Sequence, residues 1–188
     1  MPNALIDINQ AIFTPEEYIA FEEQSDIKHE FDNGKLRPIP GTTDQYNNIA
    51  LNCAFILRQN LKGKGCSTFM ESVKLQVNPT RYTYPDVFVC CDERDTNDHY
   101  IKRYPVLIIE VLSPTTRFYD LTDKFIQYRN IDTLQYYIAI DTEKVFAQCF
   151  LRKENNDWEV GIYTDLNETI ELPNLNMSIL LTDAYQTN

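Results

Sequence analysis

The 188-residue sequence predicts one mixed α/β domain, α+β in its element order and built on a mixed sheet. Three observations lead there. Helical and strand periodicities alternate along the chain in the order αββαβββαβββ. The segment PVLIIEVLS is apolar on both faces apart from Glu110, as expected of a central strand covered on both sides. No internal repeat, low-complexity tract or Pro/Gly/Ser-rich linker interrupts the chain, so a single domain over 1–188 is the simplest division.

The elements follow in order. Thr14-Pro15-Glu16-Glu17 combines an N-cap, a proline at the first helical position and a glutamate three residues after the cap, so a helix runs to about Glu23. In KHEFDNGKLRPI the Asn33-Gly34 dipeptide sits between two short strand-like runs, the sequence of a tight β-hairpin. From Asp44 to Leu61, Tyr46, Ile49, Ala50, Cys53, Ala54 and Leu57 recur at helical spacing until Gly63 and Gly65 stop the pattern. MESVKLQV alternates with period two and predicts one strand; YPDVFVCCD, after a connection at 79–83, predicts a second, and YPVLIIEVLS a third. Asp120 resembles an N-cap and opens a helix to about Arg129. QYYIAID, KVFAQCFLR and WEVGIYT then read as strands, and residues 144–182 either extend the sheet or build a homodimer face.

Composition narrows the function classes. With 43% hydrophobic and 24% charged residues the chain has the make-up of a globular protein. Its apolar runs fall far short of the roughly 20 residues that cross a bilayer, and MPNALIDINQ lacks the basic and apolar regions of a secretory signal, so the expected location is cytoplasmic with no membrane partner. Five cysteines with no CxxC pair read as reduced, buried thiols. Two histidines supply a zinc site poorly. Seventeen basic against 28 acidic residues give a net charge of −11, an average field that repels phosphates.

The chemistry concentrates on a few carboxylates. A lone ionised carboxylate on a strand buried on both faces is so costly that Glu110 must be paired, protonated or bound to a metal. Asp86 heads VFVCC directly after Pro85, on the preceding predicted strand. Neighbouring strands lie about 4.8 Å apart, so both carboxylates can reach one hard cation such as Mg²⁺, which takes oxygen ligands. On the following helix Lys124 falls within the apolar stripe of Leu121, Phe125, Tyr128 and Ile131, which aims its ammonium toward the sheet. Glu30, beside the hairpin turn, either completes this acidic shell or is a solvated edge carboxylate. Gln127 and Tyr128 are positioning candidates, Tyr128 more simply a core residue, and Ser113 caps a turn.

Together FTPEEY, HEFDNGKL, YPDVFVCCD, PVLIIEVLSPTTRFYD, DKFIQYRNI and LQYYIAID resemble a large family of restriction-endonuclease-like proteins within the PD-(D/E)XK nuclease superfamily, over roughly residues 13–142. The resemblance implies an αβββαβ core carrying an N-terminal helix and hairpin and extra C-terminal strands. It implies Asp86 as the aspartate of PD and Glu110 as the acid of E-x-K. Both would hold Mg²⁺, or Mn²⁺ in its place, with the Val111 carbonyl, for phosphodiester hydrolysis of nucleic acid, DNA being the expected substrate. The motif lysine is replaced by Leu112, so the basic role passes to Lys124. Basic residues stand only in clusters: Arg58, Lys62 and Lys64; Lys102 and Arg103; and Arg117. The acidic balance and the missing motif lysine keep a second class open, a non-catalytic interaction domain on the same fold. A glycosidase using Asp86 and Glu110 as acid and base is a distant third.

Overall fold

The computed structural model describes residues 11–186; the N-terminal stretch read for targeting lies outside them. Helix α1 (Pro15–Glu22) opens on the expected capping box, in which Thr14 and Glu17 side chains accept from each other's backbone amides. Strands β1 (His29–Asp32) and β2 (Lys35–Pro38) form the hairpin, with Asn33 and Gly34 at φ 48° and 92°. Positive φ at both central positions lets so tight a turn match the strand twist. Helix α2 (Asp44–Asn60) buries Ile49, Ala50, Cys53, Ala54 and Leu57, the stripe visible in the sequence.

The next segment departs from expectation. MESVKLQV is not one strand: β3 (Ser67–Met70) and β4 (Lys74–Asn78) are separated by Glu71, whose φ of 25° takes the chain out of one sheet and into another. The 79–83 connection holds β5 (Arg81–Thr83), which pairs with both β4 and β1. Strands β6 (Val87–Cys90), β7 (Ile101–Lys102) and β8 (Pro105–Leu112) follow. The helix expected from Asp120 begins earlier, as α3 (Arg117–Tyr119), widens into a π-helical turn over Asp120–Lys124, and closes as α4 (Phe125–Tyr128). Asp120 is therefore inside the helix and not its cap. Strands β9 (Tyr136–Asp141), β10 (Ala147–Arg152), β11 (Trp158–Tyr163), β12 (Thr169–Leu172) and β13 (Met177–Leu180) and helix α5 (Leu181–Tyr185) complete the chain.

A six-stranded mixed sheet runs β11-β10-β9-β8-β6-β3, with β8 parallel to β9 and antiparallel to β6. Within it α2, β3, β6, β8, the 117–128 helix and β9 reproduce the αβββαβ order, while β4, β5 and β7 join the hairpin in a second sheet ordered β2-β1-β5-β4-β7. Strands β10 and β11 extend the main sheet; β12 and β13 form a separate two-stranded ribbon.

Alternation along β8 explains its two-sided apolarity. Leu107, Ile109 and Val111 face α2, whereas Ile108 and Leu112 face Tyr128 and Ile131 on the other side. Glu110 shares that second face, under the 117–128 helix.

The cysteines correct the reduced-thiol reading. Cys66 and Cys91 form a disulfide, while Cys53, Cys90 and Cys149 are free and buried. Ser67 pairs with Cys90 across β3 and β6, so Cys66 and Cys91 are the next opposed residues. A pair separated by 25 residues and created by strand register carries no local spacing signal.

The hairpin turn supplies a stability test. A Cβ on Gly34 would meet the Ile12 side chain at 2.8 Å in a backbone conformation that L-residues avoid. Gly34→Ala is expected to cost about 1–2 kcal/mol, whereas Gly41→Ala, where a Cβ meets nothing within 4 Å, should leave chemical denaturation unchanged.

Candidate functional site

A cavity of about 510 Å³ opens at the carboxyl ends of β8 and β9. Asp86, Glu110, Glu30 and Lys124, each singled out in the sequence, line it together with Asp120, Tyr46, Arg37 and Tyr119.

Strand register brings the first two together. Val87 pairs with Ile109, so the same antiparallel register places Asp86 opposite Glu110, their side chains on one face. Asp86 is held by two donors: the Tyr46 hydroxyl reaches Oδ1 at 2.6 Å from α2, and the Val111 amide reaches Oδ2 at 2.7 Å from β8. Glu110 is 2% exposed, and its Oε1 accepts from the Tyr128 hydroxyl at 2.9 Å. Tyr128 is thus a polar partner of the site as well as a core residue. Leu112, at the motif's lysine position, is fully buried among the apolar residues under α4.

Lys124 enters from the π-helical turn. Its Nζ lies 3.1 Å from Glu110 Oε1, 3.4 Å from Asp120 Oδ1 and 3.5 Å from Glu30 Oε1. One ammonium therefore serves three carboxylates, with Asp86 a fourth in the same cavity. Asp120 is 3% exposed and its Oδ1 has no hydrogen-bond partner among the described residues. Sequence reading missed its role because Asp120 looked like a helix cap; the available signal was its i,i+4 spacing to Lys124. Tyr46 was also read only as an apolar stripe member. Gln127 is not among the residues lining the cavity, and its Oε1 is buried without a hydrogen-bond partner among the described residues. Ser113 does cap its turn, accepting from the Thr116 amide at 3.2 Å.

Electrostatics follow from this surplus of acid. Burial pushes the Asp86 carboxyl up to about 6, more than Lys124, Tyr46 and the Val111 amide offset. Burial also raises Glu110 well above the usual carboxylate range. Burial alone would lower Lys124, but Glu110 and Glu30 outweigh it and hold the ammonium charged. Four carboxylates facing one ammonium cannot all ionise without cost, so the cluster favours an added cation or a retained proton.

The donor set is compatible with Mg²⁺ or Mn²⁺. The cavity offers carboxylates together with hydroxyl and Gln45 amide oxygens, all hard donors, with no histidine or cysteine in the lining. Among the described residues no group of three or more His, Cys, Asp or Glu side chains is placed to hold a metal ion; a cation here would be held by one or two carboxylates with waters and substrate oxygens, a coordination that Mg²⁺ accepts.

The remaining sequence-predicted basic residues are mostly engaged elsewhere. Arg117 pairs at 2.6 Å with fully buried Asp141, tying α3 to the end of β9. Lys102 is buried on the Asp95 and Asp98 carbonyls, Arg103 pairs with Asp98, and Lys64 binds the Leu175 carbonyl. Arg58 and Lys62 line a separate depression beside Cys66. Among the described residues no helix is long and apolar enough to cross a membrane.

A mixed sheet with an αβββαβ core and paired carboxylates at its strand ends defines a restriction-endonuclease-like class. The chain belongs to the Uma2 family, described as "Putative restriction endonuclease", whose model matches residues 15–182. It is 31% identical over 174 residues to the uncharacterized protein slr1290 of Synechocystis sp., covering 92% of this chain and 91% of that one. It is 34% identical over 163 residues to the uncharacterized protein sll1609 of the same organism, covering 85% and 92%. In fold it is similar to the crystal structure of "a putative nuclease belonging to DUF820" from Anabaena variabilis, with a TM-score of 0.77 at 16% identity, covering 92% and 97% of the two chains.

The raised carboxyls set a pH dependence of stability. Asp86 binds its proton more tightly folded, at about 6, than at its ordinary value of 3.8, so its contribution is fully present below about 4 and is lost as pH rises through 6. Between pH 5 and 7.5 the melting temperature in EDTA is expected to fall, and Mn²⁺ should restore it at the upper end. Asp86→Asn should flatten this slope and melt higher than the parent at pH 7.5 in EDTA. An unchanged slope would show that Asp86 is not the responsible group.

Proposed function

We propose that this protein is a metal-dependent nuclease that hydrolyses phosphodiester bonds of nucleic acid, with DNA as the expected substrate and Mg²⁺, replaceable by Mn²⁺, as the cofactor. The observation that carries the reading is the 3.1 Å contact between Lys124 Nζ and Glu110 Oε1. It returns to the sheet, from the following helix, the ammonium that Leu112 removes from the E-x-K position.

Asp86 and Glu110 would hold the cation, with the Val111 carbonyl as a further oxygen donor. When bound, the cation polarises the phosphate and lowers the pKa of an attached water. Tyr46 and the Val111 amide fix the Asp86 carboxylate, each occupying one oxygen while leaving lone pairs free. Tyr128 does the same for Glu110. Lys124, held charged, stabilises negative charge that develops as the bond to phosphorus forms. Asp120 and Glu30 would keep the ammonium in place with Glu110 shared with the cation.

Asp86→Ala and Glu110→Ala should each abolish Mg²⁺-dependent cleavage of a plasmid or oligonucleotide while retaining the parent's circular dichroism spectrum, since both ligands act as a unit. Cleavage surviving in either variant excludes the mechanism. If the parent has no metal-dependent cleavage of DNA or RNA, the non-catalytic interaction domain replaces it.

Lys124→Met should lower the single-turnover rate by about 10²- to 10³-fold with little change in substrate affinity, by analogy with removal of one oxyanion donor. A lysine that served only to neutralise the carboxylates would leave the rate near normal when saturating Mg²⁺ takes over that neutralisation.

A further inference from the structure

The cavity has five acidic side chains in its lining, Glu30, Asp86, Glu110, Asp120 and Glu143, but two basic ones, Arg37 and Lys124. Lys124 is already shared by three carboxylates. Arg37 is different. It is exposed on β2, forms no ion pair among the described residues, and stacks its guanidinium over the Tyr119 ring at 4.4 Å.

Tyr119 fixes the cation without a carboxylate, through its ring face and a side-chain hydrogen bond to its hydroxyl. A carboxylate partner would occupy the guanidinium fork, whereas this phenol takes at most one of five N–H donors and leaves the others for an anion. The placement is also specific. Arg37 is the cross-strand partner of Glu30, so both side chains leave the hairpin on one face, and Glu30 contacts Lys124. Tyr119 sits one residue before Asp120, at the start of the π-helical turn. The hairpin and the helix that carry two of the site's charged residues thus meet at the mouth of the cavity through this pair.

We propose that Arg37, oriented by Tyr119, binds a phosphate of the substrate strand next to the one that is cleaved. The proposal rests on the nuclease reading and deepens it by assigning the strand's anchoring point. Chemically, a bidentate guanidinium contact suits a phosphodiester with two free oxygens. It also explains how an acidic protein can seat a polyanion: one oriented arginine and the metal, in place of a broad basic surface.

The test is binding of a short fluorescein-labelled single-stranded oligodeoxynucleotide, with Ca²⁺ replacing Mg²⁺ so that binding is read without turnover, across a range of salt. Arg37→Ala should weaken binding about tenfold and reduce the slope of log K against log salt by about 1. Tyr119→Leu, which keeps the charge but removes the platform, should weaken binding about threefold with the slope unchanged. Arg58→Ala, in the separate depression, should bind as the parent does. Equal affinity and slope for Arg37→Ala and the parent overturns the clamp, as does an equal loss in Arg58→Ala. If the parent cleaves with Mg²⁺ and Arg37→Ala binds and cleaves equally well, the clamp falls and the nuclease reading stands. If binding depends on Arg37 but no metal supports cleavage, the clamp stands and the nuclease reading falls. A parent that binds no strand overturns both.

Discussion

An ionised carboxylate on a strand buried on both faces calls for positive charge beside it, and much of this molecule is arranged around that requirement at Glu110. The answer comes from the helix packed over the same face, whose Lys124 ammonium also holds Glu30 from the hairpin and Asp120 from its own turn. The hairpin, β8 and the π-helical turn each place a carboxylate on a single nitrogen. Asp86 is then tied in by different means, through the Tyr46 hydroxyl of α2 and the Val111 amide of β8. Polar contacts from both layers of the fold therefore meet at one end of the main sheet, where the apolar packing that surrounds β8 gives way to the cavity.

The parts of this arrangement that are written locally are legible in the sequence. Glu110 stands out because every neighbour on its strand is apolar, and Lys124 because a 3.6-residue stripe includes it. The capping box at Thr14 and the Asn33-Gly34 turn have unambiguous local chemistry and fold accordingly. What escaped reading depends on partners distant in sequence. Tyr46 looks apolar in a periodic stripe, since nothing beside it indicates that its hydroxyl ends on Asp86, and Tyr128, a positioning candidate in the sequence, gives no sign there that its partner is Glu110. The break at Glu71 shows in the sequence only as the consecutive polar pair Glu71-Ser72, which shifts the apolar phase from Met70 to Val73, Leu75 and Val77 where the chain changes sheets. The Cys66–Cys91 bond depends on the register of β3 against β6, which no spacing rule could supply. Asp120 was misread for a different reason: an aspartate near a helix start is usually a cap, and here the helix had already begun.

The overall charge of −11 argues against a nucleic-acid partner only if basic residues are counted without asking what each one does. Arg103, Arg117, Lys102 and Lys64 are committed to internal carboxylates or carbonyls. Their number overstates the positive charge available at the cavity. On the proposed function, a cation held by the acidic lining would change the local field from repelling phosphate to attracting it. On this view an anionic strand is excluded from the metal-free cavity and admitted by the loaded one, so cofactor and substrate are coupled without any movement of the backbone.

The π-helical turn at Asp120–Lys124 has a consequence for what a one-residue deletion would disturb. A π turn accommodates about one more residue than the α-helical turn it replaces, and each residue along a helix advances the side-chain direction by about 100°. Losing one residue here would restore ordinary pitch with the flanking turns nearly in their present orientation, and the contact altered would be the one inside the turn, the approach of Asp120 to Lys124. Exposed positions such as Asp123 and Ile126 impose no comparable demand on chemical identity. A deletion in this segment would therefore be felt first by the ammonium and its partners, whereas one in the exposed 153–157 connection between β10 and β11 would reach no buried charge.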